Sequence, residues 1–541
     1  MPLVTPLPSE FTVASYNLER FFDTTDDPGT SDPVLSDAAF EIRLSKASLV
    51  IRKVLASPDI LGLQEVENLA TLETLAARLN ADAIAAGVAD PQYAAFLQEG
   101  NDPGGIDAGL LVKTARVSVV DVVQAGKDAT YVNPLNGENE LLNDRPPLVL
   151  RALVHRQDGP DFPLTVIVNH LRSLSGINDP ADGPRVRAKR RAQAEYLANL
   201  IQARRSADPD EHLIVLGDMN AYQFNDGYVD TLATIRGVPT SADEVILASP
   251  DLVEPNLVDA SDGVPAAERY SYVFEGNAQQ LDHMLLSANL APRLTALRHG
   301  RLDADFPESL RGDASRPERL SDHDPLVAYF TFPPDVPPTA DAGPDRTVPA
   351  DADGVARVTL AAQASDPDGD ALTITWQGPF GTASGATTEV ALGLGAHEIL
   401  LTVDDGRGSV TTDTVVITVS DVTPPRIVSL SASPAVLWPP RGQFVPVSLS
   451  VDATDAAGSP RCRIVGVTSD EPSHVFSGAL VWLNWLFRDW WITSDLSLLL
   501  RAERTPWGNG RTYSVAVQCS DASGNTSGAT TTVLVPRRRS K

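Results

Sequence analysis

The chain has 541 residues, a formal net charge of −28 and an isoelectric point near 4.6. Its length predicts two to four domains, because a single hydrophobic core stops growing beyond about 250–300 residues. The acidic excess excludes a general nucleic-acid coat, since nonspecific binding to phosphates requires an excess of Lys and Arg. An enzyme that acts on phosphates would therefore need local cationic side chains or a metal ion.

Strand and helix patterns alternate along the chain up to about residue 331. Strand-like apolar runs lie at residues 11–16, 60–63, 108–112, 164–168 and 213–216. Patterns with the helical period lie at residues 38–55, 69–79 and 185–203. This mixture predicts layered α and β structure for a first domain at residues 1–332.

The sequence pattern changes near residue 331, from alternating strands and helices to a proline-rich segment followed by short strands, and this change predicts a domain boundary. Segment 332–338 contains four prolines, and we expect it to be a stiff, extended linker. The short alternating segments that follow are separated by clusters of Gly, Asp and Pro, which is typical of a β-sandwich. These segments are residues 355–360, 372–376, 398–403 and 413–419. They predict an all-β module at residues 339–421.

Another run of strands follows the proline pair 424–425 and predicts a third module at residues 424–536. The only two cysteines of the chain, Cys462 and Cys519, fall in two of these strands. We expect them to form one disulfide between the two sheets of the module, in an oxidising compartment.

Acidic turns mark the second module, at residues 366–370 and 404–406. They resemble the acidic turns of polycystic-kidney-disease-type and cadherin-like sandwiches. Ca²⁺ is a candidate ligand of these turns, although no Glu completes an EF-hand loop. A plain β-turn is the favoured alternative.

Several features bear on where the protein resides. No stretch reaches the roughly 18 apolar residues of a membrane span. The start of the chain lacks the basic and apolar regions of a signal peptide, so we expect any export signal to be trimmed or unconventional. A short apolar segment is crowded with tryptophans, and core packing is favoured over a sugar platform or a membrane-surface loop. These tryptophans are Trp482, Trp485, Trp490 and Trp491.

Polar side chains follow apolar runs in the first domain. Glu65 follows one such run, and its carboxylate is suited to bind Mg²⁺ or Mn²⁺. Asp218 and Asn220 are two residues apart, so on extended backbone they would point the same way, towards a water, a metal ion or a phosphate. His170 and His323 can supply acid catalysis or charge stabilisation. Each residue alone is better explained as a solvated strand end or a turn former, but their joint occurrence favours hydrolysis of a phosphate ester.

Six short motifs, taken in order, resemble those of the endonuclease/exonuclease/phosphatase superfamily over residues 11–330. They are Ser15-Tyr16-Asn17, Leu63-Gln64-Glu65, Asn169-His170-Leu171-Arg172-Ser173, Gly217-Asp218-Met219-Asn220-Ala221, Leu281-Asp282-His283 and Ser321-Asp322-His323-Asp324-Pro325. Segments 143–148, 270–274 and 304–307 are most similar to secreted bacterial nucleases. The resemblance implies an α+β four-layer α/β/β/α sandwich with the site at one end. We expect two all-β immunoglobulin-like sandwich domains to follow this first domain.

The resemblance also implies a role for each site residue. The metal ligands are Asn17, Glu65 and Asp322. Asp218 orients or deprotonates the attacking water, and Asn220 holds the scissile phosphate. His170 and His323 flank that phosphate as donors, and Asp282 supports His323. Asp107 is a candidate to orient His170, with a simple strand-entry turn as the alternative.

Three arginines are candidate substrate contacts, namely Arg145, Arg172 and Arg190. Arg190 belongs to a local basic cluster in this acidic chain, a helical pattern with Arg185, Arg187, Lys189 and Arg191. Such a cluster can follow a nucleic-acid backbone, although a solvated helix face is the more common explanation. Arg145 has the alternative role of capping a loop.

The sequence therefore predicts a secreted, metal-dependent phosphodiesterase, with nuclease action on DNA or RNA as the leading interpretation. A sphingomyelinase-like or phosphomonoesterase hydrolase is one alternative, with a phospholipid or a small phosphoester as substrate. A surface adhesion protein with an inactive first domain is another. We expect an extracellular or cell-surface location, with the C-terminal modules acting as spacers or contacting the cell surface or matrix.

Overall fold

The computed structural model describes residues 3–156, 160–472 and 488–538. These residues form two compact units, and the division falls between Pro334 and Asp335. In the described part of the chain, no helix combines the length and the apolar character needed to cross a membrane. Trp482 and Trp485 lie outside the described residues. The module boundaries at 1–332, 339–421 and 424–536 stay predictions.

The N-terminal unit contains helices and strands in alternation. Its helices are α1 (Asp37–Leu49), α2 (Leu69–Ala85), α3 (Gly183–Ala207) and α4 (Thr231–Arg236). Its strands are β1 (Glu10–Phe21), β2 (Ile60–Val66), β3 (Tyr93–Leu97), β4 (Asp107–Lys113), β5 (Val117–Gln124), β6 (Thr130–Val132), β7 (Asn139–Leu141), β8 (Leu148–Val154), β9 (Phe162–His170), β10 (Leu213–Asp218), β11 (Val258–Asp259), β12 (Tyr272–Phe274), β13 (Asn277–Gln279), β14 (Asp282–Leu286), β15 (Leu294–His299) and β16 (Leu326–Thr331).

The helix starts follow from their capping residues. The Ser36 side chain accepts a hydrogen bond from the backbone of Ala39 at the start of α1, and Asn68 accepts one from Thr71 in α2. Such caps satisfy backbone N–H groups that the helix itself leaves unpaired. A π-type turn at Val50–Val54 continues α1, so the predicted helix at 38–55 is confirmed as a helix with a distorted last turn.

Two six-stranded sheets form the centre of this unit. The first has the order β15-β16-β1-β2-β4-β3, and the second has the order β11-β14-β10-β9-β8-β5. Alternate residues of a strand face opposite sides of a sheet. Val13 of β1 accordingly packs between the sheets with Val166 of β9, whereas Ala14 packs outward in a core shared with α1 and α2.

A third core lies on the outer face of the second sheet, where Ile167 of β9 packs with Leu197 of α3. The three cores separate four layers, in the order helices, sheet, sheet, helices. The predicted α/β/β/α sandwich is therefore confirmed.

The C-terminal unit is made of strands in the described residues. They are β17 (Thr339–Asp341), β18 (Arg346–Pro349), β19 (Val355–Ala361), β20 (Gln363–Ser365), β21 (Thr373–Gly378), β22 (Gly381–Ser384), β23 (Thr387–Gly393), β24 (Gly395–Asp404), β25 (Val410–Ser420), β26 (Arg426–Ser433), β27 (Phe444–Thr454), β28 (Arg461–Ser469), β29 (Trp490–Ser494), β30 (Ser497–Arg501), β31 (Gly510–Ser520) and β32 (Thr526–Pro536). Strands β17–β25 surround one core, which contains Trp376. Strands β26–β32 surround a second, which contains Tyr513. The predicted all-β character of this region is confirmed.

The predicted disulfide between Cys462 and Cys519 is present, but its predicted position between two sheets is wrong. Cys462 of β28 lies directly opposite Cys519 of β31, and both strands belong to the sheet β28-β31-β32. The bond therefore joins neighbouring strands of one sheet. The spacing of two cysteines along a sequence does not reveal the register of the strands that carry them.

Candidate active site

Strand register brings polar residues together at one end of the two central sheets. Asp218, the last residue of β10, pairs with His170 at the end of β9 and with Asp282 at the start of β14. The other sheet supplies Asn17 from β1 and Glu65 from β2. The Asn17 Nδ2 group lies 3.1 Å from both Glu65 Oε1 and Asp218 Oδ2, so it connects the two sheets at this end.

The backbone at the site has an unusual local conformation. Glu65 has φ = +59°, and it lies where the pairing of β2 with β4 shifts register, as in a β-bulge. Bulges re-aim a side chain that a regular strand would direct elsewhere. Gly217, with φ = +129°, precedes Asp218, and a Cβ atom there would overlap the carbonyl oxygen of Asn169. Only glycine fits at this close approach of β10 to β9.

Asn220 does not lie on extended backbone as the sequence predicted. Strand β10 ends at Asp218, and Asn220 adopts a left-handed conformation with φ = +46°. Its backbone N–H donates to Asp218 Oδ1 at 2.8 Å, and its side-chain Nδ2 donates to the carbonyl of Leu171 at 3.1 Å. One amide hydrogen of Asn220 therefore remains for another acceptor.

His323 forms the strongest polar contact of the site. Its Nδ1 atom lies 2.6 Å from Asp282 Oδ2, which also accepts a hydrogen bond from Ser271 Oγ at 2.6 Å. Its Nε2 atom lies 3.9 Å from Asp218 Oδ2. Burial alone opposes a charged imidazole, but Asp282 and Asp218 outweigh it and raise the pKa of His323 well above its usual value. His323 is therefore charged at neutral pH and presents Nε2–H as a donor.

His170 has the opposite electrostatic character. Its Nε2 atom lies 3.5 Å from Asp218 Oδ2 and 3.8 Å from Glu65 Oε1. Burial, together with the positive charges of Arg145 and His323, lowers the pKa of His170 well below its usual value. The two histidines therefore differ in charge at neutral pH, with His170 neutral.

Asp218 is buried among other acidic groups. Burial, with the charges of Asp282 and Glu65, raises the pKa of Asp218 to about 7 although His323 opposes the shift. A carboxylate with such a pKa is suited to accept a proton near neutral pH.

A cavity of about 550 Å³ opens beside these groups. The predicted site residues that line it are Glu65, Arg145, His170, Arg172, Asp218, Asn220, Asp322 and His323. Asn17 and Asp282 do not line it and lie behind the groups that do. Ten of the predicted site residues thus line the cavity or lie directly behind it, whereas Arg190 is buried and does not line it.

Arg145 and Arg172 differ in whether their guanidinium groups are available to bind a phosphate. Arg145 donates to the carbonyls of His170 and Leu171 and pairs with Asp102 at 2.9 Å. It therefore fixes the chain that follows β9. Arg172 is half-buried and forms no ion pair with a carboxylate in the described part of the chain. Like Arg20, which also lines the cavity, it is a cation that remains available to a phosphate.

The prediction that Arg190 contacts substrate is wrong. Its side chain is 2 % exposed, and Nη1 donates to the carbonyl of Arg172 at 2.6 Å and to that of Asn220 at 2.9 Å. The rest of the basic cluster is also occupied, since Lys189 pairs with Asp144 and Arg191 pairs with Glu195. The helix α3 packs this face inward, which a charge count along the sequence does not reveal.

We expect Arg190→Ala to destabilise the N-terminal unit by about 3 kcal/mol or more, because it removes one partner of buried polar contacts. Arg191→Ala is the matched control on the same helix. Its pair with Glu195 is partly exposed, and its loss should cost at most about 0.5 kcal/mol. Urea unfolding followed by circular dichroism measures both. Equal effects of the two substitutions would contradict the structural role of Arg190.

Asp107 does not orient His170 in this structure. Its Oδ2 atom accepts the backbone N–H of Gly100 at 2.9 Å, as expected of the alternative, a strand-entry turn. The Nδ1 atom of His170 has no hydrogen-bond partner among the described residues.

Three residues that line the cavity or support it were not predicted. Arg20 is exposed, lines the cavity and follows Asn17 by three residues. Ser271 donates to Asp282. Tyr222 lines the cavity and stacks on the exposed ring of Phe224, with 5.3 Å between ring centroids. Proximity to the motif residues was the only signal for Arg20, which lies near the end of β1, and for Tyr222, which lies on the loop after β10.

The oxygen-rich lining of the cavity fits a divalent cation. Glu65 and Asp322 offer carboxylates, which Mg²⁺ and Mn²⁺ prefer. Asn17 was predicted to be a metal ligand, but its only side-chain oxygen, Oδ1, already accepts the backbone N–H of Glu19 at 2.9 Å. Its amide hydrogens face Glu65 and Asp218. Burial is the largest cause of the raised pKa of Asp218, and the negative charges of Asp282 and Glu65, which a bound cation would offset, add to it.

A family model described as the endonuclease/exonuclease/phosphatase family matches residues 12–296, and one described as a bacterial Ig domain matches residues 335–418. The first match covers more than half of the 541 residues. No curated protein sequence matches.

Solved structures with a similar fold include three from different organisms. Truncated Caenorhabditis elegans TDP2 has 16 % identity, covers 60 % of this chain and 98 % of its own, and gives a TM-score of 0.36. A Bacteroides thetaiotaomicron protein of the endonuclease/exonuclease/phosphatase family has 17 % identity, with coverages of 60 % and 98 % and a TM-score of 0.37. A Neisseria meningitidis 3'-5' exonuclease has 16 % identity, with coverages of 60 % and 100 % and a TM-score of 0.33. These likenesses carry no conclusion about substrate.

Proposed function

The chain belongs to the endonuclease/exonuclease/phosphatase family, whose members hydrolyse phosphoesters, and we propose that it is a secreted, metal-dependent phosphodiesterase that cleaves nucleic acid. One observation carries the proposal. The buried pair of His323 and Asp282 lies beside Asp218, at a cavity whose wall also holds the unpaired cation of Arg172. A base, a charged donor and a phosphate-binding cation therefore face one space.

The proposed reaction begins with a water molecule held by Asp218. The carboxylate accepts a proton from this water while its oxygen attacks phosphorus, and the P–O bond on the opposite side breaks. Asn220 holds Asp218 in place through its backbone N–H and has one amide hydrogen free for a phosphate oxygen. A substitution that moves Asn220 is therefore expected to disturb both the position of Asp218 and the contact of the Asn220 amide with the phosphate.

The two histidines stabilise charge in different ways in this proposal. His323, positively charged and fixed by Asp282, donates Nε2–H to a phosphate oxygen as negative charge grows on it. His170 is neutral, and it faces Asp218 and Glu65 without adding a positive charge. A bound Mg²⁺ or Mn²⁺ would supply further positive charge against the phosphate, and Glu65 and Asp322 would hold it.

Nucleic acid is favoured over a small phosphoester by what surrounds the cavity. The stacked pair of Tyr222 and Phe224 lies at its edge, and Phe224 is 62 % exposed. Exposed aromatic rings beside a groove that contacts the nucleic-acid backbone stack on unpaired bases, whatever their sequence. Arg172 and Arg20 line the same cavity and can contact backbone phosphates on either side of the bond that is cut.

Secretion is supported by two features of the C-terminal unit. Disulfides such as the one between Cys462 and Cys519 persist in oxidising compartments. The matched bacterial Ig domain is of a type found on surface and extracellular proteins. We propose that this unit holds the enzyme at the cell surface or in the matrix.

A substrate panel tests the proposed function. The protein is incubated with plasmid DNA, single-stranded DNA, RNA, sphingomyelin, a chromogenic phosphodiester and a phosphomonoester, each with Mg²⁺, Mn²⁺ or chelator. We expect DNA or RNA to be cleaved with either metal ion and not with chelator. Hydrolysis confined to sphingomyelin or to the monoester would contradict the nuclease assignment. Inactivity on every substrate would favour an adhesion protein.

Arg172→Ala should weaken binding of a polynucleotide and spare the chromogenic diester. Loss of one phosphate contact lowers the slope of log affinity against log salt concentration by about 1. Arg151→Ala is the control, because Arg151 is exposed and does not line the cavity. Equal losses on polynucleotide and small diester would remove Arg172 from substrate-backbone contact.

A further inference from the structure

Carboxylates gather at two places in the C-terminal unit. In the first, oxygen atoms of Asp335, Asp368 and Asp370 lie within 4.8 Å of one another. Asp335 precedes β17, and the other two lie in the loop between β20 and β21. This cluster includes part of the acidic turn that the sequence had already marked.

The second cluster consists of Asp421, Asp455 and Asp521, again within 4.8 Å of one another. Asp421 follows β25 and precedes β26, Asp455 lies between β27 and β28, and Asp521 lies between β31 and β32. The three residues are spread over 100 positions, so no sequence motif joined them. In both clusters, one aspartate comes from the segment that enters the sandwich.

A hairpin loop of the same construction adjoins each cluster. Asp405 and Asp521 each begin a loop between the last two long strands of their sandwich. The Asp405 N–H donates to the Ser409 carbonyl at 3.3 Å, and the Asp521 N–H donates to the Asn525 carbonyl at 3.2 Å. Each Oδ1 accepts the N–H of the same later residue, at 3.1 and 2.9 Å. In the first sandwich, Ser409 Oγ also donates to Asp335.

Buried oxygen atoms in these clusters lack partners among the described residues. Asp370 has a side chain only 3 % exposed, and no described residue forms a hydrogen bond to its Oδ2. Asp421 is 9 % exposed, and its Oδ2 is likewise without a partner. The same is true of Oδ2 of Asp521 and Oδ1 of Asp335. A buried carboxylate oxygen without a donor or a counter-charge is unfavourable.

The protein's own cations do not balance this charge. Arg407 reaches Asp370 Oδ1 at 3.4 Å and leaves Oδ2 unpaired. In the described part of the chain, no Lys or Arg forms an ion pair with the second cluster.

We propose that the two clusters are Ca²⁺ sites, one in each sandwich. Their donors are carboxylate oxygens from separate loops, with no imidazole or thiolate among the clustered groups. Ca²⁺ accepts six to eight oxygen ligands in irregular geometry, whereas Mg²⁺ requires a near-ideal octahedron and retains waters. Bound Ca²⁺ would fasten Asp335 to the first sandwich and Asp421 to the second. It would thereby order the two segments that enter these sandwiches.

Isothermal titration of the full chain with CaCl₂, after removal of metal by chelator, counts the sites. The catalytic cavity can also bind a Ca²⁺ ion and raise the total count. The test is therefore the difference in the number of bound Ca²⁺ ions between the unaltered chain and each variant. We expect Asp370→Asn to lose one ion, Asp421→Asn to lose one, and the double variant to lose two. Asparagine retains the Oδ1 acceptor in both places, so the loops keep their hydrogen bonds. The controls Asp353→Asn and Asp452→Asn, exposed residues outside both clusters, should lose none.

Limited proteolysis of the unaltered chain tests the same two sites without any substitution. Limited proteolysis at residues 332–338 and 421–425 should be slower by about 10-fold with Ca²⁺ than with chelator, and Mg²⁺ at the same concentration should protect less. Fewer than two bound ions in the unaltered chain, unchanged stoichiometry in both folded variants, or cleavage independent of Ca²⁺ would each overturn the proposal.

Discussion

Asp218→Asn is expected to lower kcat by about 10³-fold on every substrate that is cleaved, because it removes the group that we propose to accept the proton of the attacking water. Asparagine preserves the size of the side chain and an acceptor for the backbone N–H of Asn220. The loss should therefore appear in kcat with little change in KM. Steady-state kinetics on the best substrate of the panel measures both constants.

The same substitution should stabilise the metal-free protein at alkaline pH. The pKa of Asp218 is raised to about 7 in the folded state, so the folded protein holds a proton that the unfolded chain releases near pH 4. Stability contributed by this group is therefore lost as pH rises from about 4 to 7. Asparagine removes that loss, and the melting temperature of the variant in chelator should exceed that of the parent at pH 8.

The two measurements together separate catalysis from folding. Asp210→Asn is the control, because Asp210 is exposed and lies outside the cavity, and it should change neither kcat nor melting temperature. A variant at position 218 that retains activity within a few-fold of the parent would contradict the proposed mechanism. A variant that loses activity and also melts earlier would indicate a structural role for Asp218 instead.

The fold was predictable because its cores follow simple periodicities. Val13 and Ala14 face two different cores, and the alternation of such residues predicts strands with both faces buried. Helices α1, α2 and α3 begin within two residues of their predicted positions. The order of the strands within each sheet is set by long-range packing, which periodicity does not reveal, and the family resemblance implied only the four layers and the position of the site.

The site was predictable to the extent that its groups lie at strand ends. His170, Asp218 and Asp282 are end residues of three neighbouring strands, so register alone brings them together. The positive φ of Glu65 and of Asn220 was not foreseen, since neither residue type requires it. Local backbone of this kind is imposed by the surrounding structure.

Charge was the least predictable property. Arg190 belongs to a run of basic residues and yet is 2 % exposed, because the carbonyls of Arg172 and Asn220 provide partners that a sequence does not display. Arg172, which has no carboxylate partner in the described residues, stands outside that run. Asp421 and Asp521 likewise meet only through the packing of loops far apart in sequence.

Glu65→Gln is expected to reduce kcat by about 10³-fold in Mg²⁺, since loss of the proposed metal ligand would remove several kcal/mol of charge stabilisation. It should also raise the half-saturating Mg²⁺ concentration by at least about 10-fold. Glutamine can still accept the hydrogen bond that Asn17 gives to Oε1 at 3.1 Å, so the fold should persist. Kinetics at a series of Mg²⁺ concentrations measures both effects.

Glu73→Gln on α2, which is exposed, is the control and should leave the Mg²⁺ dependence unchanged. The comparison also locates the cation. Oxygen and nitrogen atoms of Asp218, Asp282 and His323 lie within 4.8 Å of one another, but Asp282 Oδ2 already accepts from both His323 and Ser271. A parent enzyme inhibited by chelator, together with a Glu65→Gln variant of unaltered Mg²⁺ dependence, would place the ion in that cluster. The expected outcome places it at Glu65, and the pair of His323 and Asp282 then acts on the phosphate alone.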